Sequence, residues 1–423
     1  MHHDRIRSTE TGRYVSRLTS GTLAVILAAG RGERLAGLIA RRCEPAIPFA
    51  GKFRVIDFVL SNCVNSGIRQ ITVLTEYMAQ PLIQHVQRGW DYLRGELGEF
   101  VEIVPAQQQQ GPQWYQGTAD AVFQNLSLIR GHHPRYVLVL GGVHVYKMDY
   151  GPLIAAHVAN EADITLGVVE VPIEQARGCG VVATDPSGRV TRLIENPEEP
   201  EAVAGRGDIA RISMGIYLFS LELLERLLTG DAQSELSQHD FGFDILPAAI
   251  GRYRVFAYPF QGVASDRRPY WRDIRSVDAF YQANMELVEV EPELNLYDQG
   301  WPIWTYQAQH PPAKFVLDEP GRTGLAINST VAGGCIISGA SVSYSLLSSD
   351  VRIEENTFIN RSVLMPGVSV GRRCDIRNSI IDEACTISDG TRIGHDRPSD
   401  ESRFFVTPRG VVLVTQDMLK DRP

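Results

Sequence analysis

Residues Leu23 to Leu35 read LAVILAAGRGERL, an apolar run that enters a glycine-rich turn. The run is typical of a buried strand of a parallel sheet, which is covered on both faces. Glycines after such a strand let backbone N–H groups approach an anion, and Arg34 can neutralise that anion. By itself this stretch predicts only a strand and a tight turn, because short glycine-rich turns after strands are common.

The pattern of this stretch recurs through the first two thirds of the chain. Further apolar runs begin at Ile71, Tyr136 and Ile164, and amphipathic stretches run from Met78 to Arg94 and from Ala119 to Ile129. Strands and helices in alternation predict an α/β, Rossmann-like domain with a mostly parallel sheet covered on both faces. Ligands bind such sheets at the carboxyl ends of the strands.

The last quarter of the chain carries a repeat with a period of six residues, in trios that lie 17 residues apart. The trios are Thr330, Ile336 and Val342; Leu347, Ile353 and Ile359; Leu364, Val370 and Ile376; and Ile381, Ile387 and Ile393. One inward apolar residue in every six predicts a triangular, left-handed parallel β-helix. An ordinary antiparallel sheet would instead show a period of two. The stretch from Val411 to Thr415 is expected to add a final strand.

These patterns divide the chain into four parts. Residues 1–20 form an N-terminal extension, and residues 21–290 form the α/β domain. Residues 291–315, rich in Pro, Trp and Tyr without a clear period, connect it to the β-helix of residues 316–423.

Composition excludes several classes of protein. The net charge of −9 and the isoelectric point near 5.6 argue against nucleic-acid binding, which needs a basic face. No stretch approaches the roughly 20 apolar residues of a membrane span. Six single cysteines without CxxC spacing are typical of reduced thiols, and the N-terminus lacks the apolar segment of a signal peptide. We therefore expect a cytoplasmic protein.

Further segments indicate a nucleotide ligand. Trp114 to Ala121, WYQGTADA, combines an aromatic platform with a glycine turn and a helix start at Gly117 and Thr118. Gln107 offers the paired donor and acceptor that suits a purine edge. The segment from Gly51 to Gly67 reads GKFRVIDFVLSNCVNSG and is a third segment that indicates such a ligand.

The chain also reads SMGIY at 213–217, HDFG at 239–242 and YWRD at 270–273. Together with the segments above, these motifs resemble those of bacterial ADP-glucose pyrophosphorylase, or glucose-1-phosphate adenylyltransferase. The resemblance runs from Leu23 to Leu419. It implies a nucleotidyltransferase domain of the GT-A type and a reaction: ATP and glucose 1-phosphate give ADP-glucose and pyrophosphate, with Mg²⁺, in glycogen synthesis. Catalysis of this in-line transfer is mainly positioning and charge neutralisation.

The resemblance also implies roles for individual residues. Gln107 and Tyr115 would hold the adenosine of ATP, beside Gly117 and Thr118. Gly30 to Gly32 with Arg34 would hold its phosphates. The sugar-phosphate pocket would be lined by Gly180, Glu195, Ser213 and Tyr217. Asp273 would be one of two aspartates that bind the metal.

The sequence departs from the family at four charged positions. The family's Gly-Asp-His is here Gly-Val143-His, which removes the second metal ligand. Its Lys-Pro-Ala is Glu44-Pro-Ala, its Gly-Thr-Arg is Gly-Glu33-Arg, and its Glu-Lys-Pro is Glu-Asn196-Pro. Each change removes a positive charge or an oxygen ligand, or adds a negative charge, where phosphates or the metal are expected.

These departures predict a paralogue with little or no activity of its own, which modulates an active homologue. The family assembles as tetramers and responds to glycolytic metabolites near the junction of its domains, where Arg41, Arg42 and Arg54 match basic positions. One alternative is an active adenylyltransferase in which Glu33 or Glu44 replaces the lost metal ligand. Another is an acyltransferase working from the β-helix, although no histidine lies between Thr330 and Gly394.

Overall fold

The computed structural model describes residues 12–30, 33–107, 114–263, 269–319 and 322–420, and only the backbone of Glu33. Gly32 of the predicted phosphate loop and residues 1–11 of the predicted N-terminal extension therefore lie outside the described part of the chain.

The first domain is built from short strands and helices that alternate along the chain. Its strands are β1 (Thr22–Ala28), β2 (Pro48–Phe49), β3 (Phe53–Arg54), β4 (Gln70–Thr75), β5 (Phe100–Pro105), β6 (Tyr136–Gly141), β7 (His144–Tyr146), β8 (Ile164–Pro172), β9 (Gly180–Thr184), β10 (Val190–Glu195), β11 (Ile209–Ser220), β12 (Val255–Pro259) and β13 (Trp271–Asp273). Its helices are α1 (12–20), α2 (Ile56–Asn65), α3 (Gln80–Gly89), α4 (Thr118–Gln124), α5 (Leu126–Gly131), α6 (Tyr150–Ala159), α7 (Leu221–Asp231), α8 (Leu246–Ala249) and α9 (Val277–Glu286).

One nine-stranded sheet organises the domain. Strands β5, β4, β1 and β6 are neighbours in that order and run parallel. The predicted parallel sheet is therefore confirmed in this half. Beyond β6 the long strand β11 runs antiparallel and pairs with β8 and β9, so the other half is mixed.

Side chains of β1 alternate between the two faces of the sheet, as a strand with a period of two requires. Ala24 and Ile26 lie in one buried cluster, whereas Leu23 and Val25 lie in another on the opposite face. The predicted apolar run is thus a strand covered on both faces. Its carboxyl end meets that of β6 at one edge of the sheet, and the largest cavity described below opens there.

The second domain is a parallel β-helix with three sides. Its elements are β14 (Lys314–Val316), β15 (Leu325–Ile327), β16 (Thr330–Val331), β17 (Ile336–Ser338), β18 (Ser341–Ser343), β19 (Leu346–Leu347), β20 (Arg352–Ile353), β21 (Phe358–Asn360), β22 (Val363–Leu364), β23 (Ser369–Val370), β24 (Asp375–Arg377), β25 (Ser379–Ile381), β26 (Thr386–Ile387), β27 (Arg392–Ile393), α10 (Arg397–Glu401), β28 (Phe405–Val406), β29 (Val412–Val414) and α11 (Gln416–Lys420). Each side is a parallel ladder, and the strand predicted between Val411 and Thr415 is β29, which pairs with β25.

The predicted register holds for three coils and for Val342 of the first, but it is wrong for Thr330 and Ile336. Val331 pairs with Leu347, and Ile337 pairs with Ile353, so these two residues take the inward positions predicted for Thr330 and Ile336. The reason is that the first coil is one residue shorter, with a turn at Gly339 in the left-handed region of the backbone (φ 53°). A constant period carried backwards from the later coils cannot detect such a deletion.

Buried ion pairs join the two domains. The guanidinium of Arg42, 5% exposed, contacts Asp382 and Glu383 of the β-helix, each at 2.8 Å. Apolar packing surrounds this junction, with Leu35 and Leu38 in the same cluster as Leu413. Neighbouring Arg41 also crosses the junction, to Asp417 of α11, but it lies at the surface.

Of the helices in the described part of the chain, none is long and apolar enough to cross a membrane.

We predict that Arg42→Ala lowers the free energy of unfolding by about 3–5 kcal/mol, because it leaves the buried Asp382 carboxylate without its partner. The matched variant Arg41→Ala removes an exposed pair and should have a far smaller effect. Urea denaturation of both variants measures the difference. Equal destabilisation by the two would contradict this account of the junction.

Candidate functional site

A cavity of about 590 Å³ lies at the carboxyl ends of β1 and β6. This is the edge at which ligands bind to α/β sheets. It brings together most of the residues that the sequence singled out. From that set its lining contains Gly30, Glu44, Tyr115, Gly117, Thr118, Val143, Gly180, Glu195, Ser213 and Tyr217.

The corner expected to hold the metal is built by β7 and β13. These strands pair antiparallel, which sets Asp273 opposite His144, and Val143 directly precedes β7. Val143 lines the cavity, so the position of the missing aspartate does face the site.

The carboxylate of Asp273 is held by Arg275, two residues further on. Arg275 Nε lies 2.9 Å from Oδ1 and 2.8 Å from Oδ2, and its Nη2 also donates to Oδ2. Burial acts to raise the pKa of Asp273, but the hydrogen bonds and charge of Arg275 outweigh it and hold that pKa below its usual value. Asp273 is therefore an ionised carboxylate already paired with a cation.

His144 is packed under this corner. Its Cε1 lies 3.0 Å from where a Cβ on Gly141 would be, and its ring lies 5.1 Å from that of Trp271. Burial lowers the pKa of His144 to about 4, so the ring is neutral at neutral pH. Its Nδ1 has no hydrogen-bond partner among the described residues.

Glu44 reaches into the cavity beside the phosphate loop. It is buried, and its Oε2 lies 3.5 Å from where a Cβ on Gly30 would be. Burial raises the pKa of Glu44 to about 7; Asp273 also raises it, while Arg275 and Arg34 lower it. The lost lysine is thus replaced by a carboxyl group that faces the expected phosphates.

Arg34 and Asn196 lie near each other at the rim, outside the described lining of the cavity. Both are exposed, and both approach Gly178: Arg34 Nη1 would lie 3.3 Å from a Cβ there, and Asn196 Oδ1 3.9 Å. Asn196 has a positive φ of 50°, which asparagine tolerates better than most residues.

The four residues predicted to line the sugar-phosphate pocket lie together in this cavity, and their binding of a sugar phosphate stays a prediction. A Cβ on Gly180 would lie 2.3 Å from Glu195 Oε2, and one on Gly242 would lie 2.6 Å from the same atom, so the carboxyl group of Glu195 occupies the space beside both glycines. Ser213 Oγ lies 3.3 Å from the hydroxyl of Tyr217 across the floor.

The predicted adenosine side is only partly assembled in the described residues. Tyr115 accepts a hydrogen bond from Asn125 Nδ2 at 3.0 Å, and Thr118 Oγ1 donates to Asp240 at 2.8 Å. Gly117 packs against the His239 carbonyl, where a Cβ would lie 2.4 Å away. Gln107 is exposed after β5 and is not part of the described lining, so its contact with a purine remains a prediction.

The described residues do not fit Mg²⁺. Magnesium requires oxygen ligands in near-octahedral geometry. Val143 offers no oxygen, and both oxygens of Asp273 accept hydrogen bonds from Arg275. Among the described ranges, no group of three or more His, Cys, Asp or Glu residues could hold a metal ion.

Sequence reasoning missed Arg275, although it stands two residues after the recognised YWRD segment. The signal was a basic residue beside a proposed metal ligand, where a second cation is unexpected.

The three predicted effector residues lie at the domain junction. Arg42 is held in its buried ion pairs, and Arg41 pairs with Asp417 of α11. Arg54 lies 3.4 Å from Glu383 and donates a hydrogen bond to the Ala46 carbonyl.

Comparison with known proteins agrees with both domains. Residues 23–290 match the family model described as nucleotidyl transferase, and residues 311–414 match the model described as GlmU-like, C-terminal hexapeptide. The chain is 54% identical over 412 residues to the glucose-1-phosphate adenylyltransferase of Methylococcus capsulatus, and 53% identical over 410 residues to that of Nitrosococcus oceani. Each match covers 97% of both chains. The chain therefore belongs to the glucose-1-phosphate adenylyltransferase family.

Proposed function

We propose that this chain is a glucose-1-phosphate adenylyltransferase homologue with little or no turnover of its own, which binds nucleotide and modulates an active homologue. The relatives named above carry the name of the active enzyme. What sets this chain apart is its expected metal corner, where Val143 lines the cavity and Asp273 is paired with Arg275.

Charge supports this proposal. Among the described residues that line the cavity, Glu44, Glu76, Glu195 and Asp240 carry carboxyl groups, and Arg275 carries a cationic one. Two unit charges 4 Å apart interact by about 4 kcal/mol at an effective dielectric constant near 20. Since each ~1.4 kcal/mol is a factor of ten in rate, losing the attraction of a lysine at position 44 opposes catalysis by about three powers of ten, and the ionised fraction of Glu44 adds repulsion to this loss.

The pathway and the partners follow from the family. ATP, glucose 1-phosphate and ADP-glucose are the proposed ligands, glycogen synthesis is the proposed pathway, and a homo- or heterotetramer is the proposed assembly. Regulation by a phosphorylated glycolytic metabolite is proposed at Arg41, Arg42 and Arg54. Because Arg42 is buried in ion pairs, Arg41 and Arg54 are the more accessible of the three. The expected cytoplasmic location stays a prediction.

A second candidate function is an active adenylyltransferase with a rearranged metal site. Glu44 favours it, because this carboxyl group lies in the same cavity and interacts electrostatically with Asp273. This function requires the Glu44 side chain to turn toward Asp273, and it requires Arg275 to release the Asp273 carboxylate.

We predict that the purified chain releases pyrophosphate from ATP and glucose 1-phosphate, with Mg²⁺, at least about a thousandfold more slowly than the Methylococcus capsulatus relative, a difference of ~4 kcal/mol in barrier. A coupled pyrophosphate assay measures both proteins side by side. A variant carrying Val143→Asp, Glu44→Lys, Asn196→Lys and Glu33→Thr together with Arg275→Ala, which frees the Asp273 carboxylate, should gain activity. Turnover by the natural chain at the relative's rate would favour the second candidate.

We also predict that the chain forms mixed oligomers with an intact homologue encoded in the same genome. Two proteins with different affinity tags, expressed together, should copurify through either tag, and the mixed enzyme should differ from the homologue alone in its response to phosphorylated metabolites. The matched control is the homologue expressed with itself under both tags. If the chains separate completely, the modulatory role is wrong.

A further inference from the structure

Arg275 lies where the chemistry of the family would require a divalent metal. It lines the cavity, and its Nε bridges both oxygens of Asp273 at 2.9 and 2.8 Å. A carboxylate withdrawn from water needs a positive partner. In this chain that partner belongs to the protein itself.

A guanidinium and a metal ion cannot share these oxygens. Magnesium would approach them to about 2.1 Å and would need further oxygen ligands around it. The second ligand of the pair is gone at Val143, and a guanidinium at hydrogen-bond distance would repel the ion. The two departures from an oxygen-rich metal site, Val143 and Arg275, therefore act in the same direction.

The arginine also has the means to bind a phosphate. Its hydrogen bonds to Asp273 use Nε and Nη2, and the Nη1 group carries two further N–H donors. Arginine recognises phosphate oxygens through paired N–H donors on two nitrogens, and Nη1 together with the second hydrogen of Nη2 forms such a pair. Among the described lining residues, Arg275 supplies the positive charge and four residues supply carboxyl groups, a balance that opposes a diphosphate less than the more highly charged triphosphate.

We propose that Arg275 is a tethered cation that replaces the divalent metal, so that the cavity binds the diphosphate of a nucleotide sugar without a metal ion. This inference rests on the proposed function, because it assumes that the cavity takes a nucleotide. It goes beyond that function in two respects: the nucleotide sugar binds without a metal ion, and Arg275 supplies the positive charge in place of the metal.

The first arm of the test uses the metal alone. Binding of Mn²⁺ is followed by electron paramagnetic resonance for the natural chain and for Arg275→Ala with Val143→Asp. The matched control is Arg272→Ala on the same segment, which frees Glu286 of α9 instead of Asp273. The natural chain and the control should leave millimolar Mn²⁺ free, whereas the double variant should bind it. Equal binding by the natural chain and the double variant would overturn the proposal.

The second arm uses ADP-glucose in calorimetry, with EDTA or with Mg²⁺. The natural chain should bind equally well in both, whereas Arg275→Gln should weaken binding in EDTA by at least about tenfold. Arg275→Lys keeps the positive charge but loses the paired N–H donors of the guanidinium, so its affinity in EDTA should lie between those of the natural chain and Arg275→Gln. The lysine variant also provides the comparison if Arg275→Gln does not fold.

The outcomes separate the two claims. Binding of ADP-glucose only in the presence of Mg²⁺ would overturn the inference and leave nucleotide binding intact. No binding under either condition would overturn the nucleotide-binding part of the proposed function, and with it the ligand named here, while the Mn²⁺ arm would still decide whether Arg275 excludes the metal.

Discussion

A buried carboxylate needs a positive partner, and the partner of Asp273, the cavity-lining Arg275, governs the chemistry proposed for this cavity. A divalent metal would draw in phosphate oxygens and neutralise charge as it develops during transfer. Arg275 satisfies the same carboxylate through hydrogen bonds from its backbone N–H and from its guanidinium. The pairing occupies both carboxylate oxygens of Asp273, which are the atoms that would otherwise be available to a metal ion.

The residues that shape the cavity and those that charge it have followed different constraints. Gly117 allows close contact with the His239 carbonyl, where a Cβ would collide with backbone, and Gly180 and Gly242 leave room for the Glu195 carboxyl group in its present position. Those requirements are steric and belong to the scaffold. Val143 and Glu44 fit the scaffold sterically, so they change the chemistry of the site without opposing its shape. A fold shared with active relatives is therefore compatible with a different task.

Much of the fold was predictable because it depends on periodicity. Apolar runs located β1, β4, β6 and β8 within a few residues, and the six-residue period found the β-helix. The exchange of Ile336 for Ile337 came from one shortened coil, which a period alone does not reveal. In the site, Asp273 and Val143 were recognised from motifs, whereas Arg275 and the engagement of Arg42 with Asp382 were not. The Arg42 contact depends on which side chains meet across domains, and that information is absent from local spacing. Arg275 lies only two residues from Asp273, but spacing alone does not tell that the two side chains pair.

The most direct test is a crystal structure of the chain grown with ADP-glucose and Mn²⁺, with anomalous scattering data collected at the manganese edge. We expect no anomalous peak within coordination distance of Asp273, about 2.1–2.5 Å for such ions, and Arg275 placed between Asp273 and the diphosphate. A manganese peak bonded to Asp273, with Arg275 turned out of the cavity, would contradict the account.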